Sequence, residues 1–499
     1  MSQPNTIETA VPARLDRLPW ASWHWRIIIG LGTVWILDGL EVTIVGNIAP
    51  TLAEPGSGLA ITTAQVTGVA AALYVAGACM GALFFGYLTD RFGRRKLFMI
   101  TLAVYLAATA ATGLSFAVWW FYLFRFFTGF GIGGEYAAIN SAIDELIPRK
   151  FRGRVDLSIN GSYWIGAAAG ALISLAVLNA GFLASNIGWR VAFGFGVVLG
   201  LVILVVRRNV PESPRWLFIH GKDGQAERLV EGVEGEVADS TGKRLKNVDD
   251  QTIKVRQRET VGFLEIARTV FFTYPKRTVL GLSLFVGQAF LYNAITFGFA
   301  TILATFFNVS STATGYYYVV IALGNFLGAF LLGPLFDMIG RRIMISGTYI
   351  VSGVLLFGTA WLFDQGHLSA TTMTACWTAV LFFASAGASS AYLTVSEVFP
   401  METRAMAIAF FFAVGTALGG ITGPLIFAGL TESGVVSDTV TAFTIGAAIM
   451  TASGIVAAFL AVDAEQKSLE EIAEPLSVSD EPAKSDASRT TPPGGGRST

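Results

Sequence analysis

Two carboxylates three residues apart, Asp38 and Glu41, stand in the apolar run TVWILDGLEVTIVGNIAP. Three residues is nearly one helical turn, so one face presents both. An unpaired ion near the centre of a bilayer costs at least about 2.5–3.5 kcal/mol. The pair therefore needs water, a cation partner or a proton, and a group in that position can load and release protons. Arg125 is the natural partner. It lies six residues inside Trp119, about 9 Å deep at 1.5 Å per residue, a depth close to that of Glu41. A Glu41–Arg125 pair is expected, and a proton on Glu41 would release the arginine. A permanent structural ion pair is the alternative, and Asp38 could equally face a watery cavity without titrating.

Amides and aromatic side chains stand out in other apolar runs. Asn160, Tyr163 and Trp164 form one group, Gln288, Tyr292 and Asn293 a second, and Asn325 stands nearby in sequence. Amides both donate and accept, which suits hydroxyl or carboxyl groups, and aromatic faces suit an apolar side of the same solute. Each Asn could instead tie two helices together. In GFGIGGEY, Gly129 and Gly133 provide a small-xxx-small packing face, and Glu135 is expected to meet an inner-side arginine as a gate or to satisfy a neighbouring helix.

The chain also repeats itself. GYLTDRFGRRK (86–96) returns as GPLFDMIGRR (333–342), and DELIPRKFRGR (144–154) returns as SEVFPMETRAM (396–406). Asp90, Arg91, Arg94 and Arg95 correspond to Asp337, Arg341 and Arg342, while Glu145 and Arg152 correspond to Glu397 and Arg404. These charged turns read as mechanical latches between two conformations. Two similar halves imply one fold duplicated around a central cavity.

What must position these residues is a membrane bundle. Of 499 residues, 53% are hydrophobic and 14% charged, the mean hydropathy is +0.59 and the net charge is -1. A soluble enzyme is excluded, and the charge balance gives no case for a nucleic-acid partner. On a ruler of roughly 20 helical residues per crossing, twelve spans follow: 27–50, 63–88, 97–117, 119–143, 155–180, 188–208, 278–303, 312–336, 343–363, 371–396, 405–430 and 439–462. The fold expected is all-α, with six-helix halves at 27–208 and 278–462. A connecting segment at 209–277 carries short helices and an amphipathic stretch around Phe263, Ile266 and Phe271. The tails, 1–26 and 463–499, are expected to be cytoplasmic, with residues 1–20 and 476–499 disordered. Apart from Arg125 and Arg190, every Lys and Arg falls in the tails, in the even-numbered connections or at the inner edge of span six. That bias places both termini in the cytoplasm. Cys79 and Cys376 have no CxxC partner, so no metal or cofactor is expected.

With these motifs assembled, the chain resembles the major facilitator superfamily over 27–462, through GYLTDRFGRRK and its second copy. PESPRWL (211–217), ELIPRKFRG and EVFPMETRA resemble the sugar-porter and metabolite:proton symporter branches. The resemblance implies that Glu41 takes the place of the proton-linked carboxylate and Arg125 that of its partner. It also implies solute contacts from Asn160, Gln288 and Asn293, and from Tyr392 in place of a Trp. LDGLE and GIGGEY resemble symporters for organic acids. The expected function is proton-coupled symport of a small polar metabolite, a sugar or an organic acid, by a functional monomer in the plasma membrane. The alternatives are a facilitative uniporter, a proton-coupled efflux antiporter and a transporter-fold sensor. No Walker sequence or nucleophile–base spacing supports an ATP-driven pump or an enzyme.

Overall fold

The computed structural model describes residues 6–476 apart from 60, 63–64, 179–182, 208–209, 249–250, 257–262 and 432–433. Within them, every expected span is a helix or a helix pair. Spans one to six are Ser22–Ala53, Ala71–Phe92, Arg94–Gly113, Val118–Leu146, Arg152–Gly161 with Tyr163–Leu178, and Ser185–Arg207. Spans seven to twelve are Pro275–Phe307, Ser311–Met338, Arg341–Asp364, Ala370–Val398, Arg404–Thr431 and Val436–Leu460. Span two opens with a π-helical turn, Gln65–Ala70, and span five breaks at Ser162, whose hydroxyl donates to the Gly32 carbonyl of span one at 3.0 Å.

The two halves pack by one scheme. In the first, span one lies on five, two on four and three on six; in the second, seven lies on eleven, eight on ten and nine on twelve. The halves meet where two faces eleven and five faces eight, the same relation taken in both directions. Close approach needs small residues. A Cβ on Gly129 or Gly133 of span four would fall on the backbone carbonyl of Tyr74 or Ala78 in span two. Tight turns precede spans three and nine, where Gly93 and Gly340 have φ of +90° and +117°, a region open to glycine at little cost. Large apolar side chains such as Phe459, Leu201 and Trp361 are exposed on the outside of the bundle, where lipid takes the place of water.

The N-terminal segment departs from the expectation of disorder over residues 6–20. Thr6–Thr9 pairs antiparallel with Ile253–Arg256, and the short helix Val11–Asp16 buries Val11 and Leu15. It sits against the connecting helix Asp223–Thr241, whose buried face is Ala226, Val230, Val233 and Val237. Four apolar residues, Ile7, Val11, Leu15 and Leu18, outweigh the polar composition once that face is available to cover them. Residues 463–476 are likewise placed: Ser468 caps the turn Leu469–Ile472, which buries both of those end residues. Residues 1–5 and 477–499 lie outside the described residues. In the stretch Phe263–Thr273, Ile266 is buried together with Val270, whereas Phe271 is exposed like Leu264 and Phe272, and the Phe263 side chain lies outside the described residues.

Arg14 and Arg17 clamp the N-terminal helix to Glu234 at 2.7 and 2.5 Å. Burial pushes the Glu234 carboxyl up, but the hydrogen bonds from Arg14 and Arg17 outweigh it and hold the group below the usual glutamate range. A depressed acid favours docking above its free value, about 4.3, and the benefit is lost as pH falls through the depressed value. Glu234→Ala should therefore speed trypsin cleavage after Arg14 and Arg17 by up to about fivefold at neutral pH, the upper end for one partly exposed ion pair. Wild type should approach the variant's rate as acid neutralises Glu234.

Candidate functional site: a buried ion pair, an aromatic cluster and charged contacts between the halves

Span one carries the two carboxylates into fully buried surroundings, and they take different partners. Glu41 forms an ion pair with Arg125 of span four, and Thr109 of span three lies 3.5 Å from its other oxygen. The Arg125 guanidinium also covers the Tyr74 ring, 4.5 Å from its centroid. Asp38 accepts hydrogen bonds from two phenols, Tyr74 of span two at 2.6 Å and Tyr136 of span four. Asp38, Glu41 and Arg125 are each exposed by 2% or less. The ion pair was legible in the sequence; Tyr74 and Tyr136 were not singled out, although each is a hydroxyl in an apolar span that needs an acceptor.

Beside this group, aromatic side chains from both halves face one another. Trp35 stacks on Tyr136 at 4.5 Å between centroids, and Tyr392 of span ten meets Trp35 edge-on at 5.7 Å. Phe285 of span seven closes on Tyr392 at 4.9 Å. A second group lies along spans five, seven and eight. Trp164 stacks on Tyr292 across the halves at 5.4 Å, Tyr163 packs edge-on to Trp164, and the Tyr292 hydroxyl donates to Asn325 at 2.7 Å. Gln288 is half-buried on span seven. The side chain of Asn293 lies outside the described residues. Asn160 is placed differently from a solute ligand: its amide nitrogen donates to Asn140 Oδ1 at 3.0 Å and to the Asp156 carbonyl at 2.9 Å.

At the end of the bundle where the repeated charged turns gather, ion pairs join helices within and between the halves. Within the first half Glu145 pairs with Arg94; within the second, Glu397 holds Arg341 in a two-pronged contact at 2.9 and 3.0 Å. Between the halves, Arg404 reaches Glu145 at 3.2 Å and Arg152 reaches Glu397 at 3.8 Å. Asp337 of span eight accepts the backbone N–H groups of Gly153 and Arg154 at 3.0 and 2.9 Å, at the start of span five. That helix end favours a carboxylate. Asp337 also holds Arg341 at 3.1 Å. The side chain of Asp90, the counterpart of Asp337, lies outside the described residues.

Other expected latch residues stand apart from the contacts between halves. Glu135 pairs with Arg207 at 3.1 Å, tying spans four and six inside the first half. Arg91 is exposed beside the Phe92 ring, Arg95 is exposed with its backbone N–H on Glu212, and Arg342 meets Asp463 at 3.4 Å near the surface. The sequence reading missed Arg215 and Asp16. Arg215 reaches Glu470 and the Glu145 carbonyl, each at 2.8 Å, and Asp16 lies 3.6 Å from Arg152. Burial pushes the Asp16 carboxyl up against the opposing pull of Arg215 and Arg152. The described residues include no group of three His, Cys, Asp or Glu side chains arranged to hold a metal.

Comparisons with known proteins agree with this arrangement. Residues 48–476 match the family of sugar (and other) transporters. The niacin transporter NiaP of Acinetobacter baylyi is 27% identical over 416 residues, covering 83% of this chain and 89% of that protein. The 4-hydroxybenzoate transporter PcaK of Pseudomonas aeruginosa is 26% identical over 447 residues, covering 89% and 94%. Among solved structures, the proton:xylose symporter XylE with a bound bromodeoxyglucose superimposes with a TM-score of 0.75 at 18% identity, over 90% of this chain and 98% of that one. A partially occluded, inward-open form of the Escherichia coli xylose transporter gives 0.62 at 18% identity, over 87% and 97%. The buried ion pair, the duplicated charged turns and the two-fold helix scheme thus stand in a chain that belongs to the family of sugar (and other) transporters, and is a membrane transporter rather than an enzyme.

Proposed function

We propose that the chain takes up a small, planar organic acid together with a proton, moving it by alternating access across the plasma membrane with both termini in the cytoplasm and one chain as the working unit. The observation that carries the coupling is the Glu41–Arg125 pair, buried at mid-span beside Asp38. A proton arriving on Glu41 from outside removes the charge that holds Arg125, and the ion pair no longer fastens span one to span four. Removing one partner of a buried pair is worth several kcal/mol, enough to move a packing equilibrium between two arrangements.

The solute class is supported by the cavity's chemistry. Trp164, Tyr292, Tyr392 and Trp35 offer flat faces, while Tyr163, Asn325 and Gln288 supply hydroxyl and amide groups for a carboxylate. Niacin and 4-hydroxybenzoate, for which two relatives are named, are planar aromatic acids. Asn160 acts in this reading as a tie between spans four and five. Once proton and solute are bound, the Glu145–Arg404 and Glu397–Arg152 pairs and the Asp337 contacts part, and the cavity opens to the cytoplasm.

Uptake of a solute panel by proteoliposomes under two imposed pH gradients tests the proposal. Aromatic monocarboxylates should be taken up and pentoses and hexoses should not; the reverse pattern would overturn the solute class. Trp164→Ala should raise the KM for the transported acid about 3- to 10-fold, the worth of one aromatic pair beyond its buried area. Asn160→Ala should change KM less than Trp164→Ala does.

A further inference from the structure

Asp156, on the fourth residue after Arg152 in span five, is wholly buried, and neither of its carboxylate oxygens receives a hydrogen bond. The charged groups around it give no relief in sum. Asp144 of span four and Glu397 of span ten oppose its charge, while Arg341 of span nine and a weaker contact from the Asn160 amide support it. Of the other charged groups at this end, Arg152, Arg154 and Arg404 are engaged with Glu397, Asp337 and Glu145, Asp337 with Arg341, and Asp16 with Arg152. Burying an ionised carboxylate without a donor is among the most expensive arrangements a protein can hold.

A second orphan stands beside it. Asn140 directs its amide nitrogen to the Tyr136 carbonyl at 2.8 Å, which fixes its oxygen as the acceptor facing span five. Asn160 must then turn its own nitrogen toward Asn140 Oδ1 and the Asp156 carbonyl, using both N–H groups. Its side-chain oxygen is left buried with no donor. Asp156 and Asn160 are four residues apart on one helix and so are neighbours. One proton on Asp156 satisfies both: the neutral acid carries no charge to desolvate, and its O–H has an unfilled acceptor in Asn160 Oδ1. We propose that Asp156 is a second proton-binding site, which holds the charged end closed while protonated and releases its proton to the aqueous side when that end opens. The step is a carboxylate plus a proton giving a carboxylic acid. Asn140 and Tyr136 connect this site through hydrogen bonds to Asp38, so the gate and the mid-span carboxylates share one polar column.

Its part in a transport cycle rests on the symport reading above, but the titration does not, and the test separates the two. Spin labels at Lys150→Cys and Met338→Cys, one in each half at the charged end, in a chain with Cys79→Ala and Cys376→Ala, report opening in liposomes with no solute and no gradient. The closed-to-open ratio should fall by up to about tenfold per pH unit as pH rises through the titration, the limit for one linked proton. That dependence should persist in Glu41→Gln and vanish in Asp156→Asn, with the end held closed. Asp156→Glu should retain it with a displaced midpoint, which preserves the test if the Asn variant fails to fold. A wild-type end that does not respond to pH, a response that survives Asp156→Asn, or one that vanishes in Glu41→Gln would overturn the proposal. A wild-type end that titrates in a transporter whose uptake ignores protons would overturn symport alone.

Discussion

Glu41→Gln should abolish accumulation of solute against its gradient while leaving solute exchange between the two sides of the membrane intact. Gln has nearly the volume of Glu and imitates its protonated form, so the packing around span one survives. What disappears is the change of charge. In wild type the carboxylate pairs with Arg125, and the proposed coupling requires that a proton on it let the arginine go. In the variant Arg125 faces the same neutral partner at every pH. For one proton per solute, each unit of pH gradient is worth 1.36 kcal/mol, about a tenfold concentration ratio; the variant's ratio should fall to one. Radiolabelled uptake under an imposed gradient, with counterflow as the control, measures both. Arg125→Ala should be more damaging, because it leaves the buried Glu41 carboxyl without its cation, and adding Glu41→Gln to it should recover part of the lost folded protein.

The second large effect is expected at the latch. Arg404→Ala removes the cation that Glu145 shares across the halves at 3.2 Å. Glu145 keeps Arg94, so the first half stays intact while the contact between halves is lost. Breaking a buried pair costs up to about 3–5 kcal/mol where a charge is left unpaired; because Arg94 still compensates Glu145, the lower end applies, a shift of about 10² in favour of the form open at this end. The same spin-label pair should report a longer distance, with the KM of entry from outside raised and the rate of solute exit increased. An unchanged distance distribution would show that the Asp337 contacts to Gly153 and Arg154 carry the closure instead.

Much of this molecule can be read from its residues because a bilayer leaves few choices. Backbone groups in lipid must be satisfied locally, so every long apolar run had to be a helix, and each expected span is one. The duplicated turns exposed the two halves, and the depth of Glu41 and Arg125 exposed their pairing. The misreadings share a cause. Residues 6–20 are polar in composition, but their few apolar side chains find a complementary helix 200 residues away, which no local window reveals. Glu135 meets an arginine of the first half, Arg207, as its sequence position led one to expect, while Asn160, open to either a solute contact or a tie between helices, bonds to Asn140. Asp156 drew no attention because its run RGRVDLSING reads as an ordinary amphipathic helix start, and its isolation depends on where Asn140 and Asn160 point.

The most direct test is uptake by the purified wild-type chain, in liposomes with an acidic exterior, of the aromatic acid that the solute panel selects. Symport through the span-one carboxylates predicts that label rises above the external concentration, that acidification of the interior accompanies it, and that a protonophore returns the label to equality. Equal concentrations on both sides at every pH gradient, or accumulation untouched by the protonophore, would contradict it.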